Sequence, residues 1–270
     1  MNRVWVIIRR DQADRKVSLI IYCAVILAFI TLYSSLYPSI HSQAANLNQL
    51  LKSYPKSLAS AFNLEDLSFD TLEKYIAAEI FSFSWLILTI ILMLSRAANA
   101  LAGEVERGTM SFLLSQPIKR LQLFAARYLS NLITLLIFTV VSVLGIIPIA
   151  SAFGNHPMAG RFVELLWPTL MFGWTIMALG MMLSSFFNER SRVYFVAGGM
   201  LMIMYVLNIV AGLKDSLKWV GKISVFHYFN PQQVLVHGHQ NSALFLVFSL
   251  SIGATTSIGA WWFNRRDLSV

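Results

Sequence analysis

Six apolar runs, at 17–37, 76–94, 128–150, 165–187, 193–213 and 241–263, are separated by polar or mixed segments. Each is about the 20 residues that a helix needs to cross the hydrocarbon core of a bilayer. A spanning segment must satisfy its own backbone in lipid, so uninterrupted runs of this length predict α-helices. The pattern therefore predicts an all-α, multi-pass membrane protein in a single domain over 1–270. Ahead of the first run, residues 1–16 hold five bases, and Val4, Trp5, Ile7 and Ile8 share a stripe. That pattern predicts an amphipathic helix lying in the interface. The first run has no evident small-residue cleavage site and reads as a retained span. Between the first two runs, Leu47, Leu50, Leu51, Tyr54 and Leu58 recur at helical spacing and predict a surface helix. In the fifth run, Gly198 and Gly199 predict close approach of another helix.

The connection between the second and third runs breaks the pattern. Residues 103–120, GEVERGTMSFLLSQPIKR, are too polar to span and too regular for a plain linker. Glu104 and Glu106 fall in what would be a first helical turn, Met110, Leu113 and Leu114 share a stripe, and Pro117 precedes Lys119 and Arg120. Acids first, bases last and a proline stop predict a short, self-contained helix. A solvated hairpin joining two spans is the plain alternative.

Charge orients the bundle. Residues are 57% hydrophobic and 13% charged, against about a quarter charged in soluble domains. Net charge is +8, and 14 of the 21 lysines and arginines lie in 1–16, 95–127, 188–192 and 264–270. The other three connections hold seven. That excess places both termini and the 103–120 segment in the cytoplasm. Bases set between apolar runs do not indicate nucleic acid.

Chemistry is sparse. Within the six runs the one charged residue is Glu79, close to the outer end of the second, where an interfacial, hydrated carboxylate is expected. The intramembrane carboxylates of many ion-coupled transporters are missing. Gly221-Lys222 is followed by Ile223 and preceded by no P-loop, so no nucleotide site of that type is encoded. His237 and His239 have no nearby carboxylate or cysteine to complete a metal site. The single cysteine, Cys23, excludes an intrachain disulfide. No GxSxG elbow occurs, and no catalytic, metal or cofactor site is expected in this chain.

The 104–120 segment resembles the cytoplasmic connection between the second and third helices of ABC-2 type permease subunits, in the type V, exporter-like ABC fold. The resembling residues are Glu104 or Glu106, Gly108-Thr109, Phe112 to Leu114, Pro117 and Arg120. ISVFHYFNP at 223–231 is similar to that family's outer segment before its last helix, with Val225 where a proline is common. FNRRDL at 263–268 is similar to its tail.

The resemblance implies that residues 103–118 form a coupling helix docking on a separate ATP-binding cassette subunit, which would hold ATP and magnesium. The contact set would be Glu104, Glu106, Arg107, Gly108, Thr109, Met110, Leu113, Leu114 and Pro117. Met110, Leu113 and Leu114 would be its apolar part, and the charged residues its rim. It further implies a second permease chain, identical or related, short re-entrant helices within 214–240, and a bacterial or archaeal cytoplasmic membrane. With Glu79, near one end, the one charged side chain in the runs, the pathway between two chains is expected to be apolar or weakly polar. Its candidate lining is on the first, second and fifth spans, including Asn208. A non-transporting membrane scaffold on the same fold and an ATP-independent secondary transporter are the alternatives.

The orientation is directly testable. With Cys23 replaced by serine, a cysteine at Ser111 should react with a membrane-impermeant thiol reagent only from the cytoplasmic side. Labelling from outside intact cells would reverse the topology.

Overall fold

The computed structural model describes residues 3–44, 46, 49, 69–115, 118–213, 215–238 and 242–266, which form helices joined by turns, with no strand among them. Six helical segments of 23 to 39 residues are apolar enough to cross a membrane. The first is α1 (Arg3–Ser42). The second opens as α2 (Leu72–Ile76), passes through a π-helical stretch (Ala77–Ser84) and continues as α3 (Trp85–Ala100). Two short helices follow, α4 (Ala102–Glu106) and α5 (Met110–Ser115). The third span is α6 (Arg120–Leu144) with α7 (Ile146–Ala152), broken at Gly145 as the sequence around Gly145 and Pro148 anticipates. Next come α8 (Ala159–Phe186) and α9 (Arg190–Leu213). A 3-10 turn (Asp215–Leu217), α10 (Lys218–Gly221), α11 (Val225–Tyr228) and a π-helical turn (Gln233–His237) lead to α12 (Ser242–Arg265).

Helix α8 is the hub, packing on α3, α6, α9 and α12. Its close approach to α3 depends on Gly180, where a Cβ would sit 2.7 Å from that of Ala97. The Gly198-Gly199 pair does not act this way within the chain. A Cβ at either meets nothing within 4 Å, so this face of α9 is open.

Two expectations about the spans are corrected. Residues 3–16 do not form a separate interfacial helix, because α1 runs through Lys16 and Val17 unbroken and packs along α6. No Gly or Pro interrupts residues 3–37. At about 1.5 Å per residue α1 is roughly 60 Å long, well beyond the hydrocarbon thickness. The second span is not uniformly α-helical either. In its wide turns Ser82 Oγ donates to the Ala77 carbonyl (2.9 Å) and Ser84 Oγ to the Glu79 carbonyl (3.1 Å), each five residues back. Glu79 is half-buried within that stretch. Of the surface helix anticipated at Leu47–Leu58, all five positions lie outside the described residues, as do Lys214 and His239.

The segment ahead of α12 folds back into the bundle. Phe229 stacks on Phe172 (centroids 4.6 Å apart) and on Trp85 (5.6 Å), and Phe226 lies against Phe172 (5.6 Å). Phe172 is central in α8 and Trp85 in the second span, so these rings reach the middle of the bundle. Trp85 is fully buried and meets its polar requirement by donating Nε1–H to Ser142 Oγ at 2.8 Å. Ser224 caps α11 by accepting from the Phe226 amide at 3.2 Å, which puts Val225 in the first helical position. That position suits proline as well as valine, since its N–H has no intrahelical partner.

Phe229→Ala should lower the stability of the purified chain by about 3 kcal/mol, the cost of an aromatic-sized cavity in a packed core. Trp219→Ala, in the same segment but 63% exposed, should change it by less than about 0.5 kcal/mol. Thermal or denaturant unfolding followed by tryptophan-independent circular dichroism checks both.

Candidate functional site

The segment anticipated as one helix over 103–118 is two helices with a defined corner. Helix α4 ends in a Schellman arrangement: the Gly108 amide donates to the Val105 carbonyl (3.0 Å) and the Thr109 amide to the Glu104 carbonyl (3.0 Å). Gly108 has φ +70°, a left-handed conformation that costs other residues roughly 1 kcal/mol. The Gly-Thr pair is thus a helix stop and a change of direction. Thr109 Oγ1 also bonds the Glu104 carboxylate, so the corner is held from both sides.

The two acids of the segment are committed within the chain. Glu104 pairs with Arg107 at 3.2 Å and with Arg127 of α6 at 2.9 Å. Glu106 accepts from the backbone N–H of Arg190 (2.8 Å) and from its side chain (3.0 and 3.2 Å), at the first turn of α9. The hydrogen bonds from the Arg190 side chain and backbone hold the Glu106 carboxyl below the usual glutamate range. Arg190 and Arg107 also reach the Asn99 carboxamide at the end of α3.

Beneath this lies a buried charge cluster. Asp11 of α1 is 3% exposed and pairs with Arg96 of α3 at 2.8 Å, with Arg127 of α6, and with Arg15 at 3.4 Å. Ser130 donates to the same carboxylate. Arg15 donates to the carbonyls of Arg96 (3.4 Å) and Asn99 (3.1 Å). Asp11, Arg96 and Arg127 form, beneath the segment, a buried cluster that sequence reasoning passed over. A signal was present: Asp11 is three residues after the buried Ile8, on the face of α1 that turns inward.

The apolar residues of the segment divide differently from the expected stripe. Met110 is 2% exposed and belongs to the chain's own core, so it does not face outward. Leu113 is half-buried against that core, whereas Phe112 is 65% exposed. The Leu114 side chain and Pro117 lie outside the described residues. The physical reason is the corner at Gly108, which rotates α5 relative to α4 and turns Met110 inward. In the tail, Arg266 donates to the Ser185 (2.9 Å) and Phe187 (3.3 Å) carbonyls, neutralising the C-terminus of α8. Asp267 and Leu268 lie outside the described residues.

Compared with protein families, residues 5–268 match the model described as ABC-2 family transporter protein. None of the curated proteins compared with this chain matches it.

The Glu106–Arg190 tie should persist through the mildly acidic range. A depressed carboxyl contributes stability above its unfolded value and loses it as pH falls through the lower folded value. Hydrogen exchange at residues 102–109 should therefore stay slow until the pH has dropped below the ordinary glutamate range. Glu106→Gln should speed that exchange at neutral pH.

Proposed function

Because the chain belongs to the ABC-2 family of transporter membrane proteins, we propose that it works as a permease subunit driven by a separate ATP-binding cassette ATPase, which binds ATP and magnesium. The observation that carries this reading is the 102–115 segment: it connects the second and third spans, exposes Phe112, and is tied by ion pairs to α6 and α9. A push on this corner passes through Glu104 to Arg127 on α6 and through Glu106 to Arg190 on α9. Phe112 replaces Met110 as the apolar anchor of the proposed contact, with Leu113 beside it. The acids serve to transmit force, not to line an outer rim.

Two chains would form the pathway, and an exporter direction is part of the proposal. The open Gly198-Gly199 face and the exposed Met202, Ile203 and Val206 of α9 support a second chain packing there. An apolar groove of about 280 Å³ between α3 and α9, lined by Phe83, Ile87 and Tyr205 among others, supports an apolar or amphiphilic substrate.

Co-expression of the chain with its cassette ATPase, followed by affinity capture, tests the coupling. Phe112→Asp should leave the chain folded, because the ring is exposed, while reducing ATPase capture about tenfold or more, as for an aromatic hot spot worth at least ~1.4 kcal/mol. A Phe112→Asp chain that retains both capture and transport would overturn the assignment.

A further inference from the structure

The charge cluster borders open space. A cleft of about 410 Å³ lies between the cytoplasmic end of α1, the end of α3 and the α4 corner, and a second of about 380 Å³ adjoins it. The first is lined by four guanidinium groups, Arg15, Arg96, Arg107 and Arg127, against three carboxylates, Asp11, Asp14 and Glu104.

Acceptors and donors are unequally served. Both oxygens of Asp11 are engaged, by Arg96, Arg127, Arg15 and Ser130. Both oxygens of Glu104 are engaged, by Arg107, Arg127 and Thr109. Yet the Nε–H groups of Arg96 and Arg127 are buried with no acceptor among the described residues. Arg96 is 4% exposed. The four guanidinium groups outnumber the three carboxylates, which leaves one positive charge uncompensated at the cleft, and such a charge calls for an anionic oxygen. Arginine's fork suits the oxygens of phosphate.

The cleft adjoins the start of the first apolar run, where lipid headgroups are expected. Ser18 lines it, and around Ser18 the residues Val17, Ile20 and Ile21 of α1 are 60%, 62% and 54% exposed, an apolar face suited to acyl chains. The charge count assigns this end to the cytoplasmic leaflet, and basic pockets between helices on that side suit anionic headgroups.

We propose that this cleft is a binding site for a phosphate-bearing anion, supplied by the headgroup of an anionic phospholipid of the inner leaflet. The inference stands apart from the ATPase contact, because neither Phe112 capture nor ATP is required for it.

The test uses the full-length chain alone, in nanodiscs of phosphatidylcholine with or without phosphatidylglycerol, and in neutral detergent with inorganic phosphate. Phosphatidylglycerol should raise the unfolding midpoint above that in phosphatidylcholine. Arg15→Gln with Arg107→Gln should weaken the response about tenfold or more, since charge-assisted hydrogen bonds are lost. Arg9→Gln with Lys16→Gln, a control of equal charge on exposed positions, should leave it unchanged. Ser95→Asp, which sets a carboxylate at the cleft, should abolish the response in a chain that remains folded, which keeps the test decisive if the arginine variant does not fold. Stabilisation by inorganic phosphate but not by phosphatidylglycerol would uphold the anion site and overturn the lipid source. No response to either anion, or equal loss in the Arg9 and Lys16 control, would overturn the site.

Discussion

One buried carboxylate holds one half of this molecule together. Asp11, almost without solvent contact, is shared by Arg96 and Arg127, and these three residues come from three different helices. Removing Asp11 would strand buried guanidinium groups in a low-dielectric setting, which typically costs several kcal/mol. The cluster therefore fixes the register of α1 against α3 and α6. It also explains why α1 continues as a single rod beyond the apolar run: its first turns are docked on neighbouring helices instead of lying in the interface.

Arg127 then hands the same network to the connecting segment, since its second nitrogen pairs with Glu104. The segment has little freedom after that. A Schellman cap at Gly108 sets its direction, Met110 plugs it into the core, and Glu106 grips the first turn of α9. A displacement applied at the exposed Phe112 has few soft elements in which to dissipate. This is the mechanical content of the proposed coupling: short, charge-assisted links joined to long helices, in place of a flexible loop.

The opposite half uses different physics. There the helices are held by rings, with Trp85, Phe172, Phe226 and Phe229 packed in the centre of the bundle. The segment before α12 supplies two of the four, so it serves as part of the core and not as a cap over it. The π-helical stretch of the second span lies next to this cluster, with Phe81 against Trp85 at 6.0 Å. Nearer the charge cluster, Trp174 donates to Tyr128 and Tyr128 meets Thr256, both at 2.7 Å.

The sequence by itself determined the number of spans, the scarcity of charge along them and the existence of a distinct polar segment at 103–120. These follow from composition summed over windows as long as a bilayer is thick, and such sums do not depend on contacts between distant residues. Gly108-Thr109 was legible as a motif but not as a helix stop, because a left-handed glycine is recognised from backbone angles. Which side of α5 faces outward was decided only by tertiary structure: the corner turns Met110 into the core and leaves Phe112 exposed, against the simple stripe. The same holds for Asp11, Arg96 and Arg127. In the linear chain they look like flanking charges that set topology, and only the packing of three helices turns them into one buried cluster.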